Sequence, residues 1–308
     1  MALFRYQAEH VPVYRQYLTL LNKSVADINT VEQIPFLPIE LFKGFEVVSE
    51  DNKKQAAFTS SGTSGVSTSK HWVDTLEWYE HSFFQAFDLA YPDHQNAAFL
   101  GLLPGYLERE GSSLIYMVKE LMGRSDSSNS AFVLDDYELL EAKLLKAQDE
   151  GEKVVIIGVT FGILDWLEKR QIGALKGCVI METGGMKGRR KEMTRDEVHE
   201  VIKEATGVEA VHSEYGMTEL LSQAYSFGNG IFQSPPWMKV LIRETSDPFH
   251  VGLMEKTGGL NVIDLANAES CAFIATQDLG KQFRDGTFQV LGRFDHAEIR
   301  GCNLMVAE

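Results

Sequence analysis

The chain has 308 residues, 44% of them hydrophobic, which suffices to bury the core of one large domain or two ordinary ones. Its formal net charge of −15 argues against a nucleic-acid partner, whose phosphate backbone would be repelled. No stretch approaches the roughly 18 apolar residues of a transmembrane helix, and the charged N-terminus does not resemble a signal peptide. Three scattered cysteines predict neither a disulfide framework nor a metal site, so we expect a cytoplasmic protein.

The segment up to residue 90 combines helical and irregular stretches. Residues 1–18 carry apolar, aromatic and charged side chains in a pattern that favours one amphipathic helix. Pro35 and Pro38 punctuate the irregular stretch that follows. Beyond a hydroxyl-rich loop, bulky residues recur with helical spacing over 74–90, which predicts a second long helix.

From residue 97 onward, strand and helix patterns alternate. The predicted strands are 97–103, 131–134, 153–159 and 178–182, and the predicted helices are 112–123, 136–148, 162–170 and 195–205. Thr194 and Glu197 form a capping box at the start of the last helix. This alternation, with short connections, predicts an α/β fold with a largely parallel sheet up to about residue 216.

After Gly216 the strands follow one another without helices. They are predicted at 238–244, 260–266, 271–276 and 287–292. The Asp285-Gly286 pair between the last two favours a hairpin turn. We therefore expect a smaller antiparallel, β-rich subdomain over about 217–292, completing a core of residues 1–292, and then a short tail over 293–308.

The segment from Thr59 to Lys70, TSSGTSGVSTSK, consists mostly of Ser, Thr and Gly. Glycines let backbone N–H groups converge on an anion, hydroxyls add donors, and the terminal lysine adds positive charge. The combination suits a polyphosphate, although the Walker pattern GxxxxGK[ST] is absent. The alternative is a flexible Ser/Gly-rich linker, which the apolar strand pattern before it and the helix after it disfavour.

Two later segments add chemistry: His212–Leu220, HSEYGMTEL, and the tail from Ala272 to Gly301, in which an aspartate closes a predicted strand. Together with the hydroxyl-rich loop, and in this order, they resemble the signature motifs of the adenylate-forming superfamily of acyl-CoA synthetases. The tail differs from the family pattern in having Gln277 in place of glycine. Residues 103–118 and 181–190 are more narrowly similar to the LuxE-like acyl-protein synthetase branch.

The resemblance implies an adenylate-forming core that uses ATP and Mg²⁺ to convert a carboxylic acid, in this branch a fatty acid, into an acyl-adenylate. The acyl group would then pass to a thiol, first a cysteine of the chain and then a reductase partner. One alternative is an acyl- or aryl-CoA ligase similar to phenylacetate-CoA ligase. Another, of a different class, is a non-catalytic nucleotide-binding protein built on a truncated core.

The resemblance also implies a nucleotide site. Its implied residues are Thr59, Ser60, Ser61, Gly62, Thr63, Ser64, Gly65, Gly184, Gly185, Tyr215, Gly216, Asp278 and Arg293. The hydroxyl-rich loop and Lys70 would hold the β- and γ-phosphates, and Tyr215 would stack on adenine beside the two glycines at 184 and 185. Thr218 would donate to the α-phosphate and Glu219 would bind Mg²⁺. Asp278 would accept the ribose hydroxyls.

Several of these residues also have ordinary structural explanations. Glu219 could be an acid at a helix start or on the surface, Asp278 a turn residue, and Tyr215 a core aromatic. His71 and His212 lie near the motifs, and we interpret both as structural histidines rather than catalytic ones.

The acyl site and the C-terminus are less constrained. Tyr106, Ser112 and Ser113 lie where the family binds the acid and are candidates for the acyl pocket. Asp295 matches the hinge of the family, and the chain ends shortly afterwards, so we expect the C-terminal lid domain and its lysine to be absent.

Two further expectations concern the end of the chain. Lys70, Arg293 or Arg300 could supply the positive charge of the missing lysine. Cys302 lies near the C-terminus, as the acyl-accepting cysteine does in the LuxE-like branch. The alternative is that Cys302 is a small buried residue at the end of a strand.

Overall fold

The computed structural model describes residues 1–60, 68–103, 111–170, 172–175, 177–184 and 193–294. Two compact units make up the chain: Met1–Asn52 with the segment from Pro236 onward forms unit 1, and Lys53–Pro235 forms unit 2. The predicted α/β class is confirmed. None of the described helices combines the length and apolar character that crossing a bilayer requires.

The described helices and strands follow the chain in this order. The helices are α1 Ala2–His10, α2 Pro12–Leu20, α3 Leu41–Gly44, α4 Leu76–Ala90, α5 Ser113–Arg124, α6 Tyr137–Asp149, α7 Thr160–Lys169 and α8 Arg195–Thr206. The strands are β1 Leu37–Pro38, β2 Ala56–Thr59, β3 Lys70–Val73, β4 Ala98–Leu102, β5 Ala131–Phe132, β6 Val154–Gly158, β7 Val179–Glu182, β8 His212–Tyr215, β9 Ala224–Ser226, β10 Ile231–Gln233, β11 Met238–Arg243, β12 Thr257–Asp264, β13 Phe273–Gln282 and β14 Phe288–Arg293.

Unit 2 is built on a sheet in the order β10-β9-β8-β7-β6-β4-β5, with β2 and β3 pairing separately as an antiparallel ribbon. Strands β4 to β8 are parallel, whereas β9 and β10 are antiparallel to their neighbours. Every residue of β4 and β6 is buried, as expected for parallel strands with both faces covered. Helices α6, α7 and α8 contribute Leu140, Trp166 and Ile202 to the core on one face.

Helix α8 begins at the predicted capping box. The Glu197 N–H donates to Thr194 Oγ1 at 3.3 Å, and the Thr194 N–H donates to Glu197 Oε2 at 2.7 Å. The helix ends at Gly207 in the left-handed region, with φ 68°. These ends fix the position of α8, which matters because its inner face carries Arg195 and His199 to the candidate site.

Unit 1 is an antiparallel sheet in the order β11-β12-β13-β14, with β1 pairing parallel to β13. The Asp285-Gly286 turn joins β13 to β14, as predicted. Gln7 of α1 is fully buried, and its amide donates to the Asn267 carbonyl at 2.7 Å and accepts from the Ala272 N–H at 2.9 Å. These bonds join the N-terminal helix to the loop between β12 and β13.

Two local expectations are wrong. The N-terminal helix is broken, because Val11 is extended and Pro12 starts α2, as the restriction on the residue before proline requires. Asp278 does not close its strand, since β13 continues to Gln282. Gly280 permits the continuation: a Cβ there would lie 2.2 Å from the Gln289 carbonyl oxygen, too close for any other residue.

Candidate functional site

The candidate site of unit 2 lies at the carboxyl ends of β6, β7 and β8. Thr160 follows β6, Gly184 follows β7, and Thr218 with Glu219 follows β8. Ligands of open parallel sheets bind at this edge, because the loops that leave the strands there converge. Three segments distant in sequence therefore meet where the motifs predict a nucleotide site.

The β2–β3 ribbon carries the base of the hydroxyl-rich loop. Thr59 pairs with Lys70 at the end of the ribbon. Next to this pair, the Ser60 N–H donates to the Ser69 carbonyl at 3.0 Å and the Ser69 N–H donates to Ser60 Oγ at 2.9 Å. The Thr59 N–H donates to the Gly111 carbonyl at 2.7 Å. The two ends of the loop are thus held together, and its predicted phosphate contacts stay a prediction.

Lys70 projects from β3 on the same side as Trp72, two residues on. Its Nζ lies 3.9 Å from the centroid of the indole ring, a cation–π distance. Lys54 approaches the same ring at 5.6 Å. The ammonium group of Lys70 is exposed beside the base of the hydroxyl-rich loop.

The YGMTE loop continues from β8. Tyr215 is only 7% exposed, and its ring packs edge-on against Phe232 with centroids 5.9 Å apart. A Cβ on residue 216 would lie 2.2 Å from Glu214 Oε1, so any residue other than glycine would displace the Glu214 carboxyl. Glu219 is buried.

A hydrogen bond joins this loop to the β2–β3 ribbon. His71 Nδ1 lies 2.8 Å from the Thr218 carbonyl oxygen, across 147 positions of sequence. The structure therefore brings together the base of the first motif and the YGMTE loop.

The sequence analysis missed Glu182, the last residue of β7. Its carboxylate is almost fully buried and accepts hydrogen bonds from the Thr160 hydroxyl at 3.2 Å and the Gly184 N–H at 2.6 Å. On α8, Arg195 Nε donates to it at 3.0 Å and His199 Nε2 lies at 3.6 Å. Burial alone would raise the pKa of Glu182, but the neighbouring His199 ring and the charge of Arg195 outweigh it and lower the pKa to about 2.

Glu182 fixes the turn that contains Gly184. That glycine has φ 73°, in the left-handed region, and a Cβ there would meet no atom of the described residues within 4 Å. A glycine tolerates this conformation without strain, and the predicted contact of Gly184 with adenine stays a prediction.

Glu214, on the neighbouring strand β8, was also missed. Its side chain is buried, and the pKa is raised to about 8, first by burial and then by the negative charge of Glu182. The sequence signal for Glu182 is a single acid in an otherwise apolar strand, whereas Glu214 lies in a strand that also contains His212 and Ser213 and gives no such signal. Both acids are buried. Such an acid must be either paired or protonated.

In unit 1, Asp278 and Arg293 occupy opposing positions on β13 and β14. Arg293 Nε donates to Asp278 Oδ1 at 3.2 Å, with the aspartate side chain 8% exposed and the arginine 77% exposed. The Asp278 N–H donates to Thr276 Oγ1 at 3.1 Å. The structure places the two predicted ribose and phosphate ligands side by side.

Two of the candidates for the acyl pocket, Ser112 and Ser113, lie at the start of α5. Ser112 caps the helix, its hydroxyl accepting from the Ile115 N–H at 3.4 Å. Ser113 is buried, and its carbonyl accepts from the Tyr79 hydroxyl at 3.2 Å. Both residues therefore have structural roles beside any contact with substrate, and their substrate contacts stay a prediction.

Several predicted residues lie outside the described part of the chain, and their roles stay predictions. These residues are Ser61, Gly62, Thr63, Ser64, Gly65, Tyr106, Gly185, Asp295, Arg300 and Cys302.

The fit to Mg²⁺ rests on Glu219. Among the described residues, no three or more His, Cys, Asp or Glu side chains form a metal cluster. Mg²⁺ bound with a nucleotide needs only one or two protein carboxylates, because phosphate and water oxygens complete its shell. Glu219 is a buried carboxylate of this kind, and its contact with Mg²⁺ stays a prediction.

The comparisons with known proteins agree with this architecture. The family model described as "Acyl-protein synthetase, LuxE" matches residues 1–308. No curated protein matches the chain. ATP-bound MatB from Rhodopseudomonas palustris is 16% identical, with a TM-score of 0.55 over 77% of this chain and 48% of MatB. The chain therefore spans about half the length of MatB.

Two further solved structures share the fold. 2-Hydroxyisobutyryl-CoA ligase, in complex with R3-HIB-AMP, is 12% identical with a TM-score of 0.67, over 96% of this chain and 66% of the ligase. A malonyl-CoA ligase, bound to methylmalonyl-CoA and AMP, is 19% identical with a TM-score of 0.52, over 80% of this chain and 54% of that ligase. Because the family match extends over the whole sequence, the chain belongs to the LuxE acyl-protein synthetase family.

Proposed function

We propose that this protein uses ATP to convert a fatty acid into an acyl-adenylate and passes the acyl group to a thiol. The observation that carries the proposal is the junction of the first two motifs, where His71 of β3 bonds to the Thr218 carbonyl at 2.8 Å. It holds the phosphate-loop base against the loop with Glu219. Family membership supports the same chemistry.

In the first step, a carboxylate oxygen attacks the α-phosphorus, the bond to the bridging oxygen breaks, and pyrophosphate leaves with the bonding electrons. The attack brings negative charge towards an anionic centre, so fixed donors lower the barrier by stabilising the transition state. The Thr218 hydroxyl and the Lys70 ammonium are the proposed donors. Glu219 would hold Mg²⁺, whose charge would offset that of the phosphates. In unit 1, Asp278 and Arg293 are the proposed ligands of the ribose and phosphate.

In the second step, a thiolate attacks the acyl carbonyl and AMP leaves. The cysteines in the described part of the chain are poorly suited to this role. Burial raises the pKa of Cys178, and it raises the pKa of Cys271 to about 12. These observations support Cys302 as the proposed acceptor within the chain. A reductase or carrier protein would then receive the acyl group.

ATP–pyrophosphate exchange with a series of carboxylic acids of increasing chain length tests the first step. We expect carboxylate-dependent exchange that peaks at one chain length and falls at least 100-fold in Glu219→Gln. Glu209→Gln, which changes an exposed glutamate near β8, is the matched control and should exchange normally. Binding of ATP without any carboxylate-dependent exchange would favour a non-catalytic nucleotide-binding protein instead.

The acyl acceptor needs a separate experiment. The protein is incubated with ATP, Mg²⁺ and a radiolabelled acid, with and without coenzyme A. We expect hydroxylamine-sensitive label on the protein and none on Cys302→Ser. Label that persists in Cys302→Ser would contradict the acceptor assignment, and free acyl-CoA would favour a CoA ligase.

A further inference from the structure

His71 is a buried residue of β3, next to the base of the hydroxyl-rich loop. It follows Lys70 on β3 and is 0% exposed, because alternation along the strand turns it away from the face that carries Lys70 and Trp72. Its Nδ1 lies 2.8 Å from the Thr218 carbonyl oxygen. A carbonyl oxygen can only accept, so Nδ1 carries the hydrogen and donates it.

The His71–Thr218 bond holds the loop that carries the two proposed ligands. Thr218 and Glu219 are the proposed ligands of the α-phosphate and of Mg²⁺, and the Thr218 carbonyl belongs to the peptide group that links them. The Leu220 N–H donates to the Met217 carbonyl at 3.0 Å, which closes a turn that contains Thr218 and Glu219. Holding the carbonyl of Thr218 therefore constrains the backbone from which both side chains project.

The other end of the bond is equally well held. His71 pairs with Phe58 of β2, one position from the Thr59–Lys70 pair that closes the hydroxyl-rich loop. The Phe58 ring packs against Tyr79 and Tyr116, with centroid distances of 5.1 and 5.7 Å. The donor thus sits on a rigid ribbon, and a buried bond of this kind is costly to leave unmade.

We propose that His71 is a positioning residue for adenylation: its Nδ1–H holds the Thr218 carbonyl and so sets Thr218 and Glu219 against the base of the phosphate-binding loop. The assignment rests on the proposed function. His71 touches neither nucleotide nor acid in it, and acts only through the loop. This goes beyond the structural role predicted for the residue from the sequence.

The chain offers a matched histidine away from the site. His94 is also buried, and its Nδ1 lies 2.5 Å from the carbonyl oxygen of Tyr91, three residues earlier. That bond closes a local turn after α4 and joins no motif. Substitutions at His94 should therefore lower the melting temperature without changing the kinetics of the folded protein.

Two amide substitutions separate the ring nitrogens of His71. In His71→Asn the amide nitrogen takes the place of Nδ1 and can still donate to the Thr218 carbonyl. In His71→Gln it takes the place of Nε2, so the bond is lost while a polar group remains. The same pair at His94 is the control, and each protein is first shown to be folded by circular dichroism.

Pyrophosphate exchange is then resolved into kcat and the KM for ATP. We expect His71→Gln to lose about 10- to 100-fold in kcat, the scale of a displacement of about 1 Å in a site, with the KM for ATP within threefold of the unsubstituted protein. His71→Asn should recover kcat to within threefold. Both His94 variants should match the unsubstituted protein in both constants.

Three results would overturn the assignment. Exchange by His71→Gln equal to that of the unsubstituted protein removes the positioning role. Recovery by glutamine but not by asparagine transfers the role to Nε2 and another partner. If the two folded His71 variants have the same kcat, the bond to Thr218 does not determine the rate of exchange. Absence of exchange in the unsubstituted protein would instead overturn the proposed function, and this assignment with it.

Discussion

Strands β7 and β8 are parallel neighbours, and each carries a buried glutamate at its carboxyl end. Glu182 pairs in register with Ser213, so Glu214 lies one residue further along the adjacent strand. The side chains are similarly buried, yet the pKa of Glu182 is lowered to about 2 and that of Glu214 is raised to about 8. Burial opposes ionisation in both, so the neighbours decide the outcome.

The neighbours differ because helix α8 provides charged partners for the glutamate of β7 and not for that of β8. Arg195 and His199 lie four residues apart on α8, hence on one face, and both reach Glu182. Glu214 instead lies opposite Tyr225 of β9 and feels the charge of Glu182. At neutral pH one carboxylate is ionised and the other protonated. The region below the YGMTE loop therefore holds one carboxylate charge, that of Glu182, which Arg195 offsets.

Removing the Glu182 carboxylate should have the largest effect on stability. In Glu182→Ala, Arg195 and the Gly184 N–H lose their buried acceptor, and we expect the free energy of unfolding to fall by about 3–5 kcal/mol. Urea denaturation at pH 7 measures it. The control is Glu200→Ala on the same helix, whose exposed pair with Lys203 should contribute less than about 1 kcal/mol. A loss at Glu182 no greater than the control would contradict the network.

The two glutamates should also give opposite dependences of stability on pH. The stabilisation from Glu182 is present above its unfolded pKa of 4.5 and is lost as the pH falls through that value towards 2. Glu214 acts in the reverse sense: folded protein keeps its proton between pH 4.5 and about 8 while the unfolded chain releases it. The stabilisation from Glu214 is therefore complete below pH 4.5 and falls as the pH rises to about 8, by about 1.4 kcal/mol per pH unit.

Glu214→Gln tests this, because glutamine does not ionise. Its free energy of unfolding, relative to the unsubstituted protein, should rise steadily between pH 5 and 8 in urea titrations. Glu209→Gln, an exposed site, should show no such trend. Parallel curves for Glu214→Gln and the unsubstituted protein would mean that the Glu214 carboxyl ionises normally in the folded state.

The contrast between β7 and β8 shows which features of the fold can be predicted from the sequence and which cannot. Alternating patterns located most strands and helices, and Thr194 with Glu197 marked the start of α8, because these signals are local. The side chains of α8 that partner Glu182 are not local, since they lie 13 and more residues further along the chain. The spacing of Arg195 and His199 was an available signal for a paired acid. This spacing does not identify Glu182 as the acid, because only the packing of the fold brings α8 to the end of β7.

Other differences have equally specific causes. Pro12 was a visible reason to divide the N-terminal helix. The continuation of β13 past Asp278 was harder to foresee, because it depends on Gly280 facing the Gln289 carbonyl on the next strand. The His71–Thr218 bond links residues that sequence spacing cannot relate. The motifs predicted which residues matter, whereas the contacts that orient them required the fold.

A substitution at Tyr225, which lies opposite Glu214, has the smallest expected effect on stability. The Tyr225 side chain is 2% exposed, packs edge-on against Phe87 and Tyr91, and its hydroxyl has no hydrogen-bond partner among the described residues. Tyr225→Phe keeps the ring contacts and removes a buried unbonded hydroxyl. We therefore expect the free energy of unfolding to change by less than about 1 kcal/mol, towards greater stability.

The matched control is Tyr79→Phe. The Tyr79 ring is buried to the same extent, but its hydroxyl donates to the Ser113 carbonyl at 3.2 Å, so its loss should destabilise the protein by about 1 kcal/mol. Thermal denaturation of both variants at pH 6 gives the comparison. If Tyr225→Phe were destabilised as much as Tyr79→Phe, the Tyr225 hydroxyl would have a partner, and Glu214, which lies opposite Tyr225 on β8, is a candidate. A Tyr225–Glu214 hydrogen bond would stabilise the form of the Glu214 carboxyl, ionised or protonated, that accepts it. The free energy of unfolding of Tyr225→Phe would then depend on pH differently from that of the unsubstituted protein.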